Sequence, residues 1–345
     1  MKFVSIEVDL SIIGELEMRI AIIGYGNVGR GFVDLLNVRR AALKEEFGFE
    51  PKVTAILARC GGRLNPGGID LNREIDFTSQ SATLEAVLDH ADVIVELTPT
   101  DVHTGGAGLI HCREALSAHK HVVTANKGPL VVAYRELASL ARSCGVQFRF
   151  EGTVMGGTPS MALGIETLAA AGVKSMRGIV NGTTNFILTQ MEAGQTYADA
   201  LLNAQEMGYA EADPSGDVEG WDAAAKSVIL ANTLMGSDLR VDDVDREGIT
   251  RITAAMVAVA KAAGERWKLI AQVNRAGDRV AASVRPTRVS LSDPLAWVGG
   301  GMNALTYSTE AIGEVTLIGA GAGGKATGFA VLSDLLKIHQ STQQP

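Results

Sequence analysis

Asp222 and Lys226 stand four residues apart in "WDAAAKSVILANTLMG", so a helix through this stretch puts both on one face. As an exposed surface pair they would contribute only about 0.2–0.5 kcal/mol. At roughly 100° per residue, however, Ala223, Ala224, Ala225, Val228, Ile229, Leu230, Ala231, Leu234 and Met235 cover almost the whole circumference. Asp222, Lys226 and Thr233 share the one polar stripe that is left. A helix apolar nearly all round is buried, so the stripe must face a cleft or a partner. A lysine there loses hydration, which makes it a usable proton donor or acceptor. The loop before the helix, "GYAEADPSGD", adds Tyr209, Glu211, Asp213 and Asp217. Carboxylates converging on a cleft suit a substrate that carries an ammonium group, or a metal ion. Just upstream, "NGTTN" offers Gly182 and Thr183, either as a simple turn and helix cap or as amides and hydroxyls that hold a small polar ligand.

A second chemical signal is Gly24-Tyr25-Gly26-Asn27-Val28-Gly29. It follows the apolar run "MRIAII" and opens into apolar residues at helical spacing, the setting of a dinucleotide site. The three glycines allow a tight turn, close approach to a pyrophosphate, and close packing of helix on strand. The new helix presents free N–H groups and its positive dipole end to the phosphates. Where an NAD site usually carries an acid for the ribose 2′-hydroxyl, "AILARCGGR" has Ala58, Arg59 and Arg63. An arginine there accommodates a 2′-phosphate, so NADP is the expected cofactor, with NAD possible.

The elements that must position these groups follow from the pattern. After "MRIAII" come strand candidates "KVTAILA", "DVIVELT", "HVVTAN" and "VQFRFEG", most separated by helix-length segments. Alternation of this kind implies parallel βαβ units with ligands beyond the carboxyl ends of the strands. The expected fold is α/β: a Rossmann-type doubly wound parallel sheet over 18–150, plus a second, α+β catalytic domain over 151–311. The tail, "GEVTLIGAGAGGKATGFAVLSDLLKI", again reads strand, glycine turn, helix, so 312–345 is expected to return to the first domain. Residues 1–17 form an extension without the features of a secretory signal.

Composition narrows the function classes. The 345-residue chain is 46% hydrophobic and 20% charged, ordinary for a globular protein of more than one domain. A formal charge of −8 without a basic stripe argues against nucleic acid. No apolar run is long enough for a membrane span. Cys60, Cys112 and Cys144 are an odd number without CxxC spacing, which suits a reducing, cytoplasmic setting. His103, His111, His119 and His121 cluster with Cys112, but not at a zinc-site spacing, so no transition metal is expected.

Taken in order, "VTANKGPL", "EGTVMGGTPS", "NGTTNFIL", "GYAEADPSGDVEGWDAAAK" and "GAGAGGKAT" resemble the motifs of the homoserine dehydrogenase family, across about Met18 to Ile338. The resemblance implies NAD(P)H-linked interconversion of L-aspartate 4-semialdehyde and L-homoserine, on the way to threonine, methionine and isoleucine. It implies Lys226 as general acid/base, Asp222 as the group that orients it, and Lys127 near nicotinamide and substrate as a second proton-handling residue. Glu211, helped by Tyr209, Asp217, Gly182 and Thr183, would bind the substrate. Thr98 and Gly323 would join Gly24, Gly26, Asn27, Val28, Gly29, Arg59 and Lys127 at the cofactor. Glu151 and the carbonyls of Val154, Gly156 and Thr158 would hold a monovalent cation, sodium or potassium. The family is dimeric, so a homodimer is implied, with "RVAASVRP" able to extend a sheet. Many members carry a further regulatory domain, and this sequence resembles the short form.

Two other readings compete. An aspartate-semialdehyde dehydrogenase needs an activated cysteine nucleophile, and no cysteine here has such a setting. A non-catalytic NADP sensor would be indicated by loss of Lys226 or Asp222, and both are present.

Overall fold

The computed structural model describes residues 17–77 and 82–343, so the expected amino-terminal extension lies, but for Glu17, outside the described residues. The first half runs β1 (Arg19–Ile23), α1 (Asn27–Phe47), β2 (Lys52–Ala58), β3 (Gly61–Leu64), α2 (Leu84–Asp89), β4 (Val93–Glu96), α3 (Gly106–Ser117), β5 (His121–Thr124), α4 (Lys127–Cys144) and β6 (Phe148–Arg149). The second half begins with α5 (Ser160–Ala162), β7 (Val173–Ile179), α6 (Gly182–Glu192), α7 (Tyr197–Glu206), α8 (Ser215–Val218) and α9 (Trp221–Leu234). It ends with β8 (Asp245–Arg246), α10 (Ala254–Ala262), β9 (Glu265–Ala276), β10 (Arg279–Ser290), β11 (Met302–Thr309), β12 (Gly313–Ala320) and α11 (Gly324–Thr342).

The first sheet has the order β3-β2-β1-β4-β5-β6. Its pairs are parallel except that β3 runs antiparallel to β2. Only Arg59 and Cys60 separate β2 from β3, too few for a crossover, so a hairpin is the only possible link. Both faces are buried. Ile20 and Ile22 of β1 point into a layer with Phe32, Leu36, Val331 and Leu335, while Ala21 and Ile23 face Leu109, Cys112, Leu116 and Leu137. This is the doubly wound α/β arrangement expected from the strand-helix alternation. The strand order reverses between β1 and β4, where such folds bind ligands.

The second sheet, β12-β11-β7-β9-β10-β8, is antiparallel apart from a short parallel β8/β10 contact. Apolar residues of α9, including Val228, Ile229 and Leu230, share a core with Met176, Leu269, Val273, Val284 and Tyr307 of this sheet. The tail departs from expectation. β12 does not join the first sheet but pairs antiparallel with β11 from Met302↔Ala320 to Thr309↔Gly313. The hairpin is short: only three residues separate β11 from β12, which keeps the strand beside its predecessor. Only α11 crosses back. It lies on α1, where a Cβ on Gly31 would stand 2.5 Å from the Gly324 carbonyl oxygen and one on Gly328 would stand 2.6 Å from the Phe32 nitrogen.

Candidate active site

A cleft of about 910 Å³ opens at the carboxyl ends of β1, β4 and β5 and is closed on the other side by α6, α8 and α9. The glycine turn borders it. Gly24 has φ +100°, and a Cβ there would stand 2.5 Å from the Leu97 carbonyl oxygen and 2.8 Å from the Thr98 nitrogen. A Cβ on Gly29 would stand 2.6 Å from the Gly24 carbonyl oxygen, whereas Gly26 faces open space. The three glycines thus divide the tasks of turn, packing and open approach. No acidic residue lies in the first turn of α1, so its N–H groups meet an anion without opposition. The second glycine turn abuts the first: a Cβ on Gly324 would stand 2.5 Å from the Asn27 carbonyl oxygen, and Gly323, φ +115°, lines the cleft. These residues fit a dinucleotide.

Opposite the turn, α9 carries its polar stripe. Lys226 is 7% exposed, and its Nζ donates to Asp222 Oδ2 at 2.7 Å and to the Val180 carbonyl at 2.6 Å. The other Asp222 oxygen faces Lys127 Nζ at 3.3 Å. Lys127 comes from the opposite wall, as the first residue of α4, which Asn126 caps through a 3.0 Å bond from the Gly128 amide. Burial opposes the Asp222 charge, but the two lysines overcome it and hold the carboxyl well below the usual carboxylate range. Asp217 behaves oppositely: burial and the Asp222 charge push it up. Asn181 ties the two acids together, donating to Asp217 Oδ1 at 2.6 Å and Asp222 Oδ2 at 2.9 Å while its own oxygen caps α6 through the Thr184 amide.

Of the residues singled out in the sequence, Val28, Thr98, Lys127, Gly156, Gly182, Thr183, Tyr209, Glu211, Asp213, Asp217, Asp222, Lys226 and Gly323 all line this one cleft. The Thr183 hydroxyl donates to the Tyr209 carbonyl at 2.7 Å, and the Tyr209 ring stacks on Phe186 with centroids 4.7 Å apart. Arg59 is exposed just beyond β2, outside the lining. Thr233 turns away, bonding the Ile229 carbonyl at 2.6 Å. Cys112 is buried in the core, where burial and Glu96 push its thiol up, and neither Cys60 nor Cys144 lines the cleft. The histidines face different partners: His103 the Trp221 ring, His111 Glu96, His119 the Cys144 carbonyl and His121 the Gln147 amide.

Glu151, expected with Val154, Gly156 and Thr158 at a cation site, lies outside the lining of the cleft. Its Oε1 accepts from the Met161 amide at 2.9 Å and Oε2 from the Ala162 amide at 2.7 Å. It lines a separate cavity of about 370 Å³ together with Asp334, whose Oδ2 accepts from the Glu151 amide at 2.8 Å. Val154 and Thr158 are buried and line neither space, and the Val154 carbonyl accepts from Ser160 Oγ at 2.9 Å. Sequence reasoning missed Asn126, Asn181 and Glu96. Asn181 had a local signal in the helix cap of "NGTTN", whereas the bond of Glu96 to Thr124 depends on a residue from another strand.

Family models agree with this layout. Residues 24–151 match that of the homoserine dehydrogenase NAD binding domain and residues 159–336 that of homoserine dehydrogenase. The NAD(+)-dependent homoserine dehydrogenase of Pseudomonas canavaninivorans is 40% identical over 341 residues, 94% of this chain and 97% of that protein. The crystal structure of a homoserine dehydrogenase from Thiobacillus denitrificans superposes with a TM-score of 0.82 at 31% identity, covering 95% of this chain and 76% of that one. A hyperthermophilic archaeal homoserine dehydrogenase in complex with NADPH gives a TM-score of 0.80 at 29% identity, covering 94% and 98%. With a dinucleotide turn on one wall of the cleft and a lysine-aspartate pair on the other, the chain belongs to the homoserine dehydrogenase family of NAD(P)-dependent oxidoreductases.

Proposed function

We propose that the protein interconverts L-aspartate 4-semialdehyde and L-homoserine with Lys226 as general acid/base, in the route to threonine, methionine and isoleucine. The observation that carries this reading is the Lys226–Asp222–Lys127 row across the cleft, at 2.7 and 3.3 Å. A bound reduced nicotinamide supplies the hydride that adds to the aldehyde carbon. Charge then develops on the aldehyde oxygen, and a nearby ammonium stabilises and neutralises it. Lys226 has three N–H donors, of which Val180 and Asp222 take two, so one remains for that oxygen. In the reverse direction Lys226 takes the hydroxyl proton. Asp222, held by Asn181, fixes the direction of the lysine, and Lys127 brings a second positive charge to the same place. Glu211 would pair with the substrate ammonium at the mouth of the cleft, with Asp217, Tyr209, Gly182 and Thr183 completing the pocket.

NADP is the proposed preferred cofactor, because Arg59 follows β2 and no acid stands beside it. The NAD(+)-dependent Pseudomonas relative and the archaeal NADPH complex support use of either nicotinamide. For a monovalent cation, the proposed ligands are the carbonyls of Val154, Gly156 and Thr158, in a loop that passes through left-handed backbone at Met155 and Gly156. The Glu151 carboxylate is committed to the start of α5 and would contribute only its remaining lone pairs. A cation there would raise Tm in sodium or potassium chloride over choline chloride.

A homodimer through the second domain completes the proposal, supported by half-exposed Ile318 on the edge strand β12 and by Met302 beside it. Light scattering should return twice the 36.2 kDa chain mass. No described helix is long and apolar enough to cross a membrane, and a cytoplasmic location is proposed.

The decisive assay is oxidation of L-homoserine by the purified protein at alkaline pH, following the absorbance of the reduced nicotinamide with NADP and NAD in parallel. Turnover is expected, faster with NADP. Lys226→Ala should keep NADPH binding and lose about 10²–10⁴ in kcat. Near-normal turnover of that variant would remove Lys226 from its role.

A further inference from the structure

Glu96 ends β4 and is completely buried, beneath the wall of the cleft that Thr98, Asn126 and Lys127 form. The chemistry above makes no use of it. A carboxylate shut away from water is tolerated only when donors satisfy its oxygens. Here the Thr98 amide donates to Oε1 at 3.0 Å, and the Thr98 hydroxyl donates to the same oxygen. The Thr124 hydroxyl stands 2.9 Å from the Glu96 carbonyl and 3.2 Å from Oε2. His111 Nδ1, buried and without a hydrogen-bond partner among the described residues, faces Oε1 at 3.5 Å.

Both threonines pass the constraint to one residue. Asn126 donates from Nδ2 to Thr98 Oγ1 at 3.3 Å and from its backbone amide to Thr124 Oγ1 at 3.0 Å. Its side-chain oxygen caps α4, whose first residue is Lys127. Gly108 of α3 leaves the space this network fills, because a Cβ there would collide with Asn126 and stand 3.1 Å from Glu96 Oε2.

We propose that Glu96 is a positioning residue for the reaction: through Thr98, Thr124 and Asn126 it fixes the first turn of α4 and so the place of Lys127 in the cleft. The inference rests on the role given to Lys127 above. A buried charge suits this task because it cannot move without breaking several bonds at once.

The test is a double-mutant cycle on the full chain with L-homoserine and NADP. Glu96→Gln keeps the shape but turns one acceptor into a donor, and Thr124→Val removes a link of the network that does not line the cleft. Each is expected to lower kcat by on the order of 10²-fold, with NADPH binding by fluorescence little changed. In a Lys127→Ala background neither should lower kcat further. Losses that multiply, or single variants with normal kcat, would overturn the proposal while leaving Lys127 in place. A Lys127→Ala enzyme with normal kcat would instead remove the Lys127 role itself, and the Glu96 role with it. Thr124→Val keeps the test open should Glu96→Gln fail to fold.

Discussion

At the scale of single residues, the site is decided by charges placed where water is scarce. Asp222 stays ionised in spite of burial because Lys226 and Lys127 flank it. A carboxyl depressed in the folded state adds stability above its unfolded titration range and loses it as pH falls through the folded value. Asp222→Asn should therefore cost about 3 kcal/mol at neutral pH, as for a broken buried pair. That deficit should shrink in acid, as read from Tm against pH. Arg59 is the residue proposed to separate the two cofactors. Removing a charge-assisted contact to a 2′-phosphate is worth about 1.5–3 kcal/mol, so Arg59→Ala should raise KM for NADP roughly ten- to hundredfold. KM for NAD should stay unchanged, and an equal effect on both would exclude a 2′-phosphate contact. The positions of both residues, one on a helix and one after a strand, were legible in the sequence, because helical spacing and strand ends are local properties. The bonds of Asn181 to Asp217 and Asp222 and of Glu96 to Thr124 were not, since those partners lie 28 to 41 positions away.

At the scale of elements, two helix starts and two glycine turns hold the cleft open at a defined width. Asn181 caps α6 and also bonds Asp217 and Asp222. Its replacement by alanine should cost about 1 kcal/mol as a lost cap, and additionally raise KM for homoserine. Urea unfolding beside steady-state kinetics would check both. The crossing of α1 and α11 depends on absent side chains. Gly31→Val would force the Gly324 backbone away and overpack the crossing by about 1–3 kcal/mol. Because Gly323 lines the cleft next to Gly324, weaker NADP(H) binding should accompany that loss, and Gly31→Val with unchanged cofactor affinity would show the two glycine turns to be uncoupled.

At the scale of the whole molecule, α11 ties the end of the second sheet back to the first domain and carries Asp334 to the Glu151 amide. Burial, with the Glu151 charge nearby, pushes the Asp334 carboxyl up to about 7. Between the ordinary carboxylate range and that value the unfolded chain has released its proton and the folded chain has not, so stability falls as pH rises. Asp334→Asn should accordingly gain in Tm over the parent at pH values above about 7, and the gain should fade toward about 4, where both states are protonated. The sequence by itself determined the strand-helix alternation, the dinucleotide turn and the helix with a single polar stripe. Each of these is a rule of backbone geometry or periodicity between near neighbours. It also read 312–345, strand included, as a return to the first domain, since strand, glycine turn and helix look alike whichever sheet accepts the strand. Only the tertiary structure decided that β12 pairs with β11 and that Lys127 meets Asp222 across the cleft. Likewise, only the fold placed a buried glutamate beneath the wall that carries Lys127. Strand pairing and buried polar contacts are choices among distant partners, made by the packing of the whole chain.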